Sequence, residues 1–440
     1  MGAKIISFQP QQDTWRKDYR YGLYKHKLVT EDNEIYTRSF IVIKNRFDVI
    51  VRFTRLHNFA GVYEGKIFAP VCADAEAKMY YICAMLNYVF IDHYDEFKIT
   101  HVFTINREML EQFFRDYAEE TLADGSRRGQ QSIEKCVKSV TLFFQKLRRK
   151  YGARVLLSEP DIIIEKPVYS HGKVRIKKVP SFQVRGFIKT KPVLRELPTK
   201  AFRVLLDLAF RYTPDIAFAI CLQAFAGLRA GEVCNVRQES SPLGNGIVFT
   251  YFEGVANKVE INLTRELQLR SDGVITGKIK KERIQCVYPP FLKAFCTAYE
   301  RHKLFLAAKQ FEGGYRPMFI NKKGMAMTYD DYALRFSMLV DERLKPAMLN
   351  SGDAECRVYG QMLCEKRLVL HLLRHWFTVQ LVLNGEDIAQ VQYWRGDKSP
   401  ESAFTYLQNK GELVKELKHA GSELTEILVA LGKQGVDRLV

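Results

Sequence analysis

Two short segments far apart in this chain constrain its fold more than any other feature. One is His371-Leu372-Leu373-Arg374-His375, and the other is Gly227-Leu228-Arg229-Ala230-Gly231-Glu232. Tyr406 follows Arg374 by 32 residues. Residues three and four apart share one face of a helix, so His371, Arg374 and His375 are presented together. Two arginines, two histidines and a tyrosine are the side chains needed to cut a phosphodiester by covalent attack. The planar donor fork of Arg matches a phosphate and keeps its proton, so Arg229 and Arg374 would neutralise charge building on the non-bridging oxygens. Tyr406 would be the nucleophile, holding the broken strand as a phosphotyrosyl ester. Taken singly, each residue also has a plainer role. Arg229 would anchor its turn through Glu232, and Tyr406 would be a core aromatic packed by Phe404. His371 and His375 would be a metal pair, but no third ligand has metalloprotease spacing. One active site accounts for all of them together.

Charge points the same way. The 440 residues hold 67 Lys and Arg against 50 Asp and Glu, a formal net charge of +17. That excess favours a polyanionic partner, nucleic acid ahead of an acidic membrane. The nine cysteines are scattered and include no Cys-x-x-Cys pair, which argues against a zinc site or a disulfide framework and for reduced thiols in the cytoplasm. The longest apolar run, Ile216 to Leu228, is broken by Gln223 and is too short to span a bilayer. The N-terminus lacks the apolar core of a signal peptide. No phosphate-binding Gly-x-x-x-x-Gly-Lys-[Ser/Thr] loop is present, so no nucleotide cofactor is expected, and no metal or other cofactor either.

Composition divides the chain into four parts. Residues 1–68 read as an N-terminal arm or a small β-containing module, with strands at Phe40–Ile43 and Val49–Phe53. Residues 69–152 read as a helical DNA-binding domain, with helices over 75–90, 107–119 and 132–151. The last of these ends in Lys146, Arg148, Arg149 and Lys150, which suit either a phosphate backbone or the negative end of a helix dipole. Residues 153–196 are basic and interrupted by proline; Lys173, Arg175, Lys177, Lys178 and Arg185 are the candidate DNA contacts. That segment is either a linker or a strand pair lying along phosphates, and the linker is preferred. Residues 197–440 alternate helical and strand-like stretches and close in an amphipathic tail with leucines at helical spacing. The tail either packs on its own domain or docks on a neighbouring subunit.

With these boxes the chain resembles the tyrosine recombinases, the integrase family of site-specific DNA strand-exchange enzymes. The resemblance covers residues 197–410 well and 70–152 in helical character alone. It implies a mainly α chain with a small β-sheet in the catalytic domain, arranged in several domains as a clamp on duplex DNA. It also implies a homo-tetramer on paired DNA sites, a monomer when free, and no membrane partner. By resemblance, Arg229 and Arg374 bind the phosphate, His371 donates to it and His375 takes the tyrosine proton. Lys278, on a β-hairpin, protonates the leaving 5′ oxygen, with Lys280 and Lys281 as alternates. Glu232 holds the cluster in place. The implied activity is cutting and rejoining DNA through a 3′-phosphotyrosyl intermediate, in integration or excision of a mobile element. A type IB topoisomerase and a non-catalytic DNA-binding protein are the alternatives. One position departs from the pattern: Asp397 stands where the family has His or Trp. It either turns away to pair with Arg395 or Lys398, or is held protonated, or slows the enzyme.

Overall fold

The computed structural model describes residues 17–62, 69–70, 73–122, 125, 127–170, 173–186, 197–311 and 314–397. The chain divides into two compact units, residues 1–28 with 36–190 and residues 29–35 with 191–440.

The N-terminal sheet runs in the order β1 (Tyr19–Val29), β2 (Ile35–Asn45) and β3 (Ile50–Phe53), with the short β4 (Ala69–Pro70) also paired to β2. Along β2, Ile35, Thr37, Ser39 and Ile41 are buried and the residues between them are half-exposed, the two-residue period of a sheet covered on one face. Helices α1 (Ala73–Asn87), α2 (Tyr94–Phe97), α3 (Arg107–Glu119), α4 (Gln130–Tyr151) and α5 (Glu159–Ile162) follow. The Asn106 side chain starts α3 by accepting from the Met109 N–H at 2.9 Å. Leu110, Phe113, Phe114 and Tyr117 then make a buried stripe at spacings of three and four. On α4 the matching stripe is Ile133, Val137, Val140, Phe143 and Leu147, and the two join Met79, Ile82 and Leu86 of α1 in one core.

Residues 163–170 and 173–180 correct the linker expectation. They form an antiparallel hairpin of β5 (Ile163–Ser170) and β6 (Lys173–Pro180), registered from Ile163 opposite Pro180 to Ser170 opposite Lys173. The flanking residues Val155, Leu157, Ile162 and Phe182 are buried in the core of the helices. Lys173-Val174-Arg175-Ile176-Lys177 alternates charged and apolar residues, which is a strand period; charge density alone suggested a tether.

The second unit contains α6 (Thr199–Tyr212), α7 (Pro214–Ala226) and α8 (Ala230–Val233), then a sheet of β7 (Ile247–Phe252), β8 (Val255–Leu263) and β9 (Arg283–Cys286). It continues with α9 (Leu292–Ala307), α10 (Tyr329–Leu339), α11 (Lys345–Leu349), α12 (Ala354–Glu365), α13 (His371–Leu383) and α14 (Ile388–Arg395). Every residue of α7 from Ile216 to Ala226 is buried, so this helix is apolar on all sides but for Gln223, with α6, α9 and α13 packed against it. Trp376 of α13 stacks on Phe202 of α6 at 4.1 Å between ring centres. The chain is thus mainly helical with small antiparallel sheets, as expected. Among the described residues, no helix is long and apolar enough to cross a membrane.

Candidate active site

The Gly-Leu-Arg turn is built by the end of α7. Gly227 caps that helix in the left-handed region at φ +65°, and a Cβ there would collide with the Phe377 ring of α13. The close approach lets buried Arg374, only 1% exposed, donate from Nη1 to the Gly227 carbonyl. The chain then turns through Arg229 into α8, which carries Glu232. Two boxes far apart in sequence thereby meet.

Glu232 is fully buried. Its carboxylate accepts from Arg229 Nη1 at 2.9 Å and the Arg229 N–H at 3.0 Å. It also accepts from Arg283 of β9, through Nη1 at 3.1 Å and Nη2 at 2.9 Å. Burial pushes its pKa up, but the Arg283 and Arg229 guanidiniums and the Arg229 N–H outweigh burial and hold it below the usual glutamate range.

Asp397 occupies the other side of Arg229. Its Oδ1 accepts from Arg229 Nη2 at 2.6 Å and from Arg374 Nη2 at 2.8 Å. Its Oδ2 accepts from Arg395 Nε at 2.7 Å. Asp397 does pair with Arg395, but it does not turn away: the same carboxylate bridges Arg229 and Arg374. Lys398 lies outside the described residues. Gly396 sets this geometry as the residue after α14, at φ +61°, where a Cβ would collide with the Arg283 guanidinium. Arg283-Glu232-Arg229-Asp397 is therefore one ionic chain, with Arg374 and Arg395 joined at its end. Among the described residues, four guanidiniums face two carboxylates in this cluster.

Arg374 is pushed down to about 9, by burial first and then by the neighbouring Arg229, and stays charged near neutrality. Its Nη2 also donates to the Arg395 carbonyl at 2.7 Å. Arg395 Nη1 donates to Thr378 Oγ1 at 2.8 Å, which tethers α14 to α13. His371, exposed at the first turn of α13, has its pKa lowered by partial desolvation and then by Arg374, Arg395, Arg229 and Lys280. His375 is lowered to about 4, by burial first and then by His371 and the arginines, so its imidazole is neutral near pH 7. The two rings meet edge to face at 4.7 Å.

Lys278 is not on a β-hairpin. Residues 264–282 form an irregular excursion between β8 and β9, in which a Cβ on Gly277 would collide with the Gly231 carbonyl and Lys278 backbone lies beside Gly231. Lys280 is the lysine that lines a groove of about 780 Å³ together with Arg229, Tyr329, Lys366, Arg367 and His371. Lys281 lines a separate cavity of about 300 Å³ with Arg283, Gln392 and Asp397. Tyr406 lies outside the described residues.

The basic residues of the first unit fall into different settings. Arg148 Nη1 donates to the Val155 and Leu157 carbonyls at 2.6 and 3.1 Å, so it fastens the end of α4. Arg149, Lys177 and Arg185 are exposed, while Lys146 is half-buried. Lys178 is exposed and lies 3.6 Å from Glu159. Lys173 and Arg175 are in β6.

Sequence reasoning missed Arg283, and it offered Arg395 only as a partner of Asp397. A buried arginine on a short strand needed Glu232 as a placed partner before it stood out. Among the described residues, no group of three His, Cys, Asp or Glu is arranged to hold a metal ion.

No family model and no curated protein matches this chain. Solved structures do show likenesses. The Tn1549 transposon integrase in complex with transposon right end DNA is 16% identical, with a TM-score of 0.49 over 76% of this chain and 89% of that one. The XerH site-specific recombinase bound to difH substrate is 14% identical, with a TM-score of 0.45 over 78% of this chain and 79% of that one. A lambda integrase dimer bound to a core site is 11% identical, with a TM-score of 0.37 over 88% of this chain and 95% of that one. Likeness this distant assigns no activity, which has to come from the residues of the site.

Proposed function

We propose that this chain is a tyrosine-type site-specific DNA recombinase that cuts and rejoins duplex DNA through a 3′-phosphotyrosyl intermediate. The observation that carries the reading is the convergence of Arg229 and Arg374 on a single anionic oxygen at 2.6 and 2.8 Å. Two forked cations aimed at one point are what a phosphate acquiring charge requires. The groove beside them, lined by Lys280, Lys366, Arg367 and His371, offers further cations to a polyanion.

In this mechanism the Tyr406 oxygen attacks phosphorus as the bond to the 5′ oxygen breaks. His375, neutral at pH 7, accepts the tyrosine proton, and His371 donates to a phosphate oxygen. A lysine of the 277–283 segment returns a proton to the departing 5′ oxygen. Lys280 is favoured over Lys278 because it lines the groove with Arg229 and His371. The ester conserves the energy of the cut bond, so a 5′ hydroxyl of another strand can reverse the step without ATP. Arg149, Lys177, Lys178 and Arg185 of the first unit would meet the phosphate backbone. The working species would be a homo-tetramer on paired sites, acting in the cytoplasm on a mobile element.

Asp397 gives one specific reason to keep a second reading, a DNA-binding protein without catalysis, since a carboxylate already fills the arginine site. Covalent trapping separates the two. The chain is incubated with fragmented DNA from its source, without metal or ATP, and denatured in detergent; DNA that stays attached is sequenced. Adducts at one recurring sequence, lost in Tyr406→Phe, support the recombinase. Adducts at scattered sequences point to a topoisomerase, and tight binding without adducts points to the non-catalytic protein.

A further inference from the structure

Asp397 sits where the two arginines of the proposed phosphate site meet. Its Oδ1 takes the Nη2 donors of both Arg229 and Arg374, the pair that would grip a phosphate. Both guanidiniums are engaged elsewhere as well: Arg229 Nη1 is on Glu232, while Arg374 donates to the Gly227 and Arg395 carbonyls. A phosphate oxygen that bridges the two arginines along these edges needs the donors Asp397 uses.

We propose that the Asp397 carboxylate is a resident stand-in for the scissile phosphate, closing the Arg229–Arg374 anion site in the free protein and yielding it when DNA phosphate enters. The proposal rests on the recombinase reading and adds a competitor inside its site. Three features equip Asp397 for exchange. Its Oδ2 is held by Arg395, only two residues away on the same turn, so a rotation off the other arginines leaves the charge still paired. Beside it lies a cavity of about 300 Å³, lined by Lys281, Arg283 and Gln392, with room and positive charge for the displaced group. The groove lined by Arg229 and His371 is a separate space, so DNA and the displaced carboxylate need not share one volume.

The consequence is a threshold. An internal anion that occupies the site most of the time weakens the apparent affinity for any external anion by the fraction of time the site is open. A loosely docked phosphate then fails where a well-positioned one, held by the rest of the duplex, succeeds. Asp397 thus makes cleavage conditional on correct docking.

The test uses the full chain and inorganic phosphate, with chloride adjusted to hold ionic strength constant. Thermal unfolding is followed against phosphate for wild type, Asp397→Asn, Asp397→Ala and the double variant Asp397→Asn with Arg229→Gln, all purified in phosphate and exchanged. The proposal expects the Asp397 variants to be stabilised by phosphate at concentrations roughly tenfold or more below those needed by wild type. The double variant should lose that response. Equal phosphate responses in wild type and Asp397 variants overturn it. So do Asp397 variants that fail to fold even in phosphate, because the carboxylate is then a strut that no oxyanion replaces. Covalent trapping by wild type, run alongside, keeps the two readings apart. DNA adducts with equal phosphate responses overturn the stand-in alone. A sharpened phosphate response without adducts removes the recombinase reading, and Asp397 then stands in for a phosphate that is bound and not cut.

Discussion

Glu232 and Asp397 each accept from more than one arginine, yet they hang from different kinds of backbone. Glu232 lies inside α8, fully buried, with its oxygens gripped by Arg283, Arg229 and the Arg229 N–H. Asp397 follows the left-handed Gly396 beyond the end of α14, beside a cavity, with its side chain 11% exposed. The charges are equal. What differs is the setting: Glu232 is enclosed, while Asp397 borders a cavity and has Arg395 on its own turn. Removal of one partner from a buried pair leaves the other uncompensated, so Glu232 belongs to the framework, while Asp397 can be exchanged for another anion.

Changes at the two ends should therefore differ in size and in kind. The largest effect is expected for Glu232→Ala, a loss of about 3–5 kcal/mol of stability by chemical denaturation, because Arg283 and Arg229 are left without their shared anion. A loss below that of Asp397→Ala would invert the comparison. Next comes Arg229→Lys, in which a point charge replaces a fork that serves both carboxylates. Its covalent adduct rate should fall about 10²–10³-fold, roughly 2.7–4 kcal/mol of barrier, with weaker effects on DNA binding. Gly396→Ala should cost about 1–3 kcal/mol, since the position has φ +61° and faces Arg283.

Acid sharpens the contrast further. Folded His375 refuses a proton until about pH 4, while its unfolded form takes one near 6.5, so stability falls as pH drops between those values. Glu232, with its pKa depressed on folding, adds stability above the usual glutamate range and loses it as pH falls through its lower folded value. A His375→Gln variant should flatten the first slope and keep the second, as read from denaturation midpoints at several pH values. The smallest effect is expected for Asp397→His, an increase of about tenfold in adduct rate, near 1.4 kcal/mol, when the internal competitor is removed. A fall in rate would mean that Asp397 takes part in the reaction.

How much of this could be read in the sequence depended on the signal each part carries. Helices of the second unit are legible where apolar residues recur at spacings of three and four, as along Thr199–Tyr212. Ile247–Phe252 was equally clear, with its run of β-branched and aromatic residues. β1 was missed, because Tyr19–Val29 mixes Lys, Arg, His and Gly with its apolar residues and no clean alternation survives. The 163–180 hairpin was obscured by its charge. In the site, Arg229, Glu232, Arg374 and the two histidines stood out through local motifs. Arg283 did not, since its role exists only where distant elements converge. Asp397 and its neighbour Arg395 are legible as a pair, but a carboxylate flanked by Arg395 and Lys398 in sequence gives no sign that Arg229 and Arg374 also reach it.

The nucleophile is the claim on which the rest depends, and it can be located directly. Tyr329 is exposed and lines the groove with Arg229, while Tyr393 is exposed next to Trp394, so the structure itself offers rivals to Tyr406. Wild-type chain trapped on DNA would be digested with protease and nuclease, and the peptide carrying a residual nucleotide sequenced by mass spectrometry. The account predicts a phosphodiester on Tyr406 and none on Tyr329 or Tyr393. A nucleotide on any other residue would contradict it.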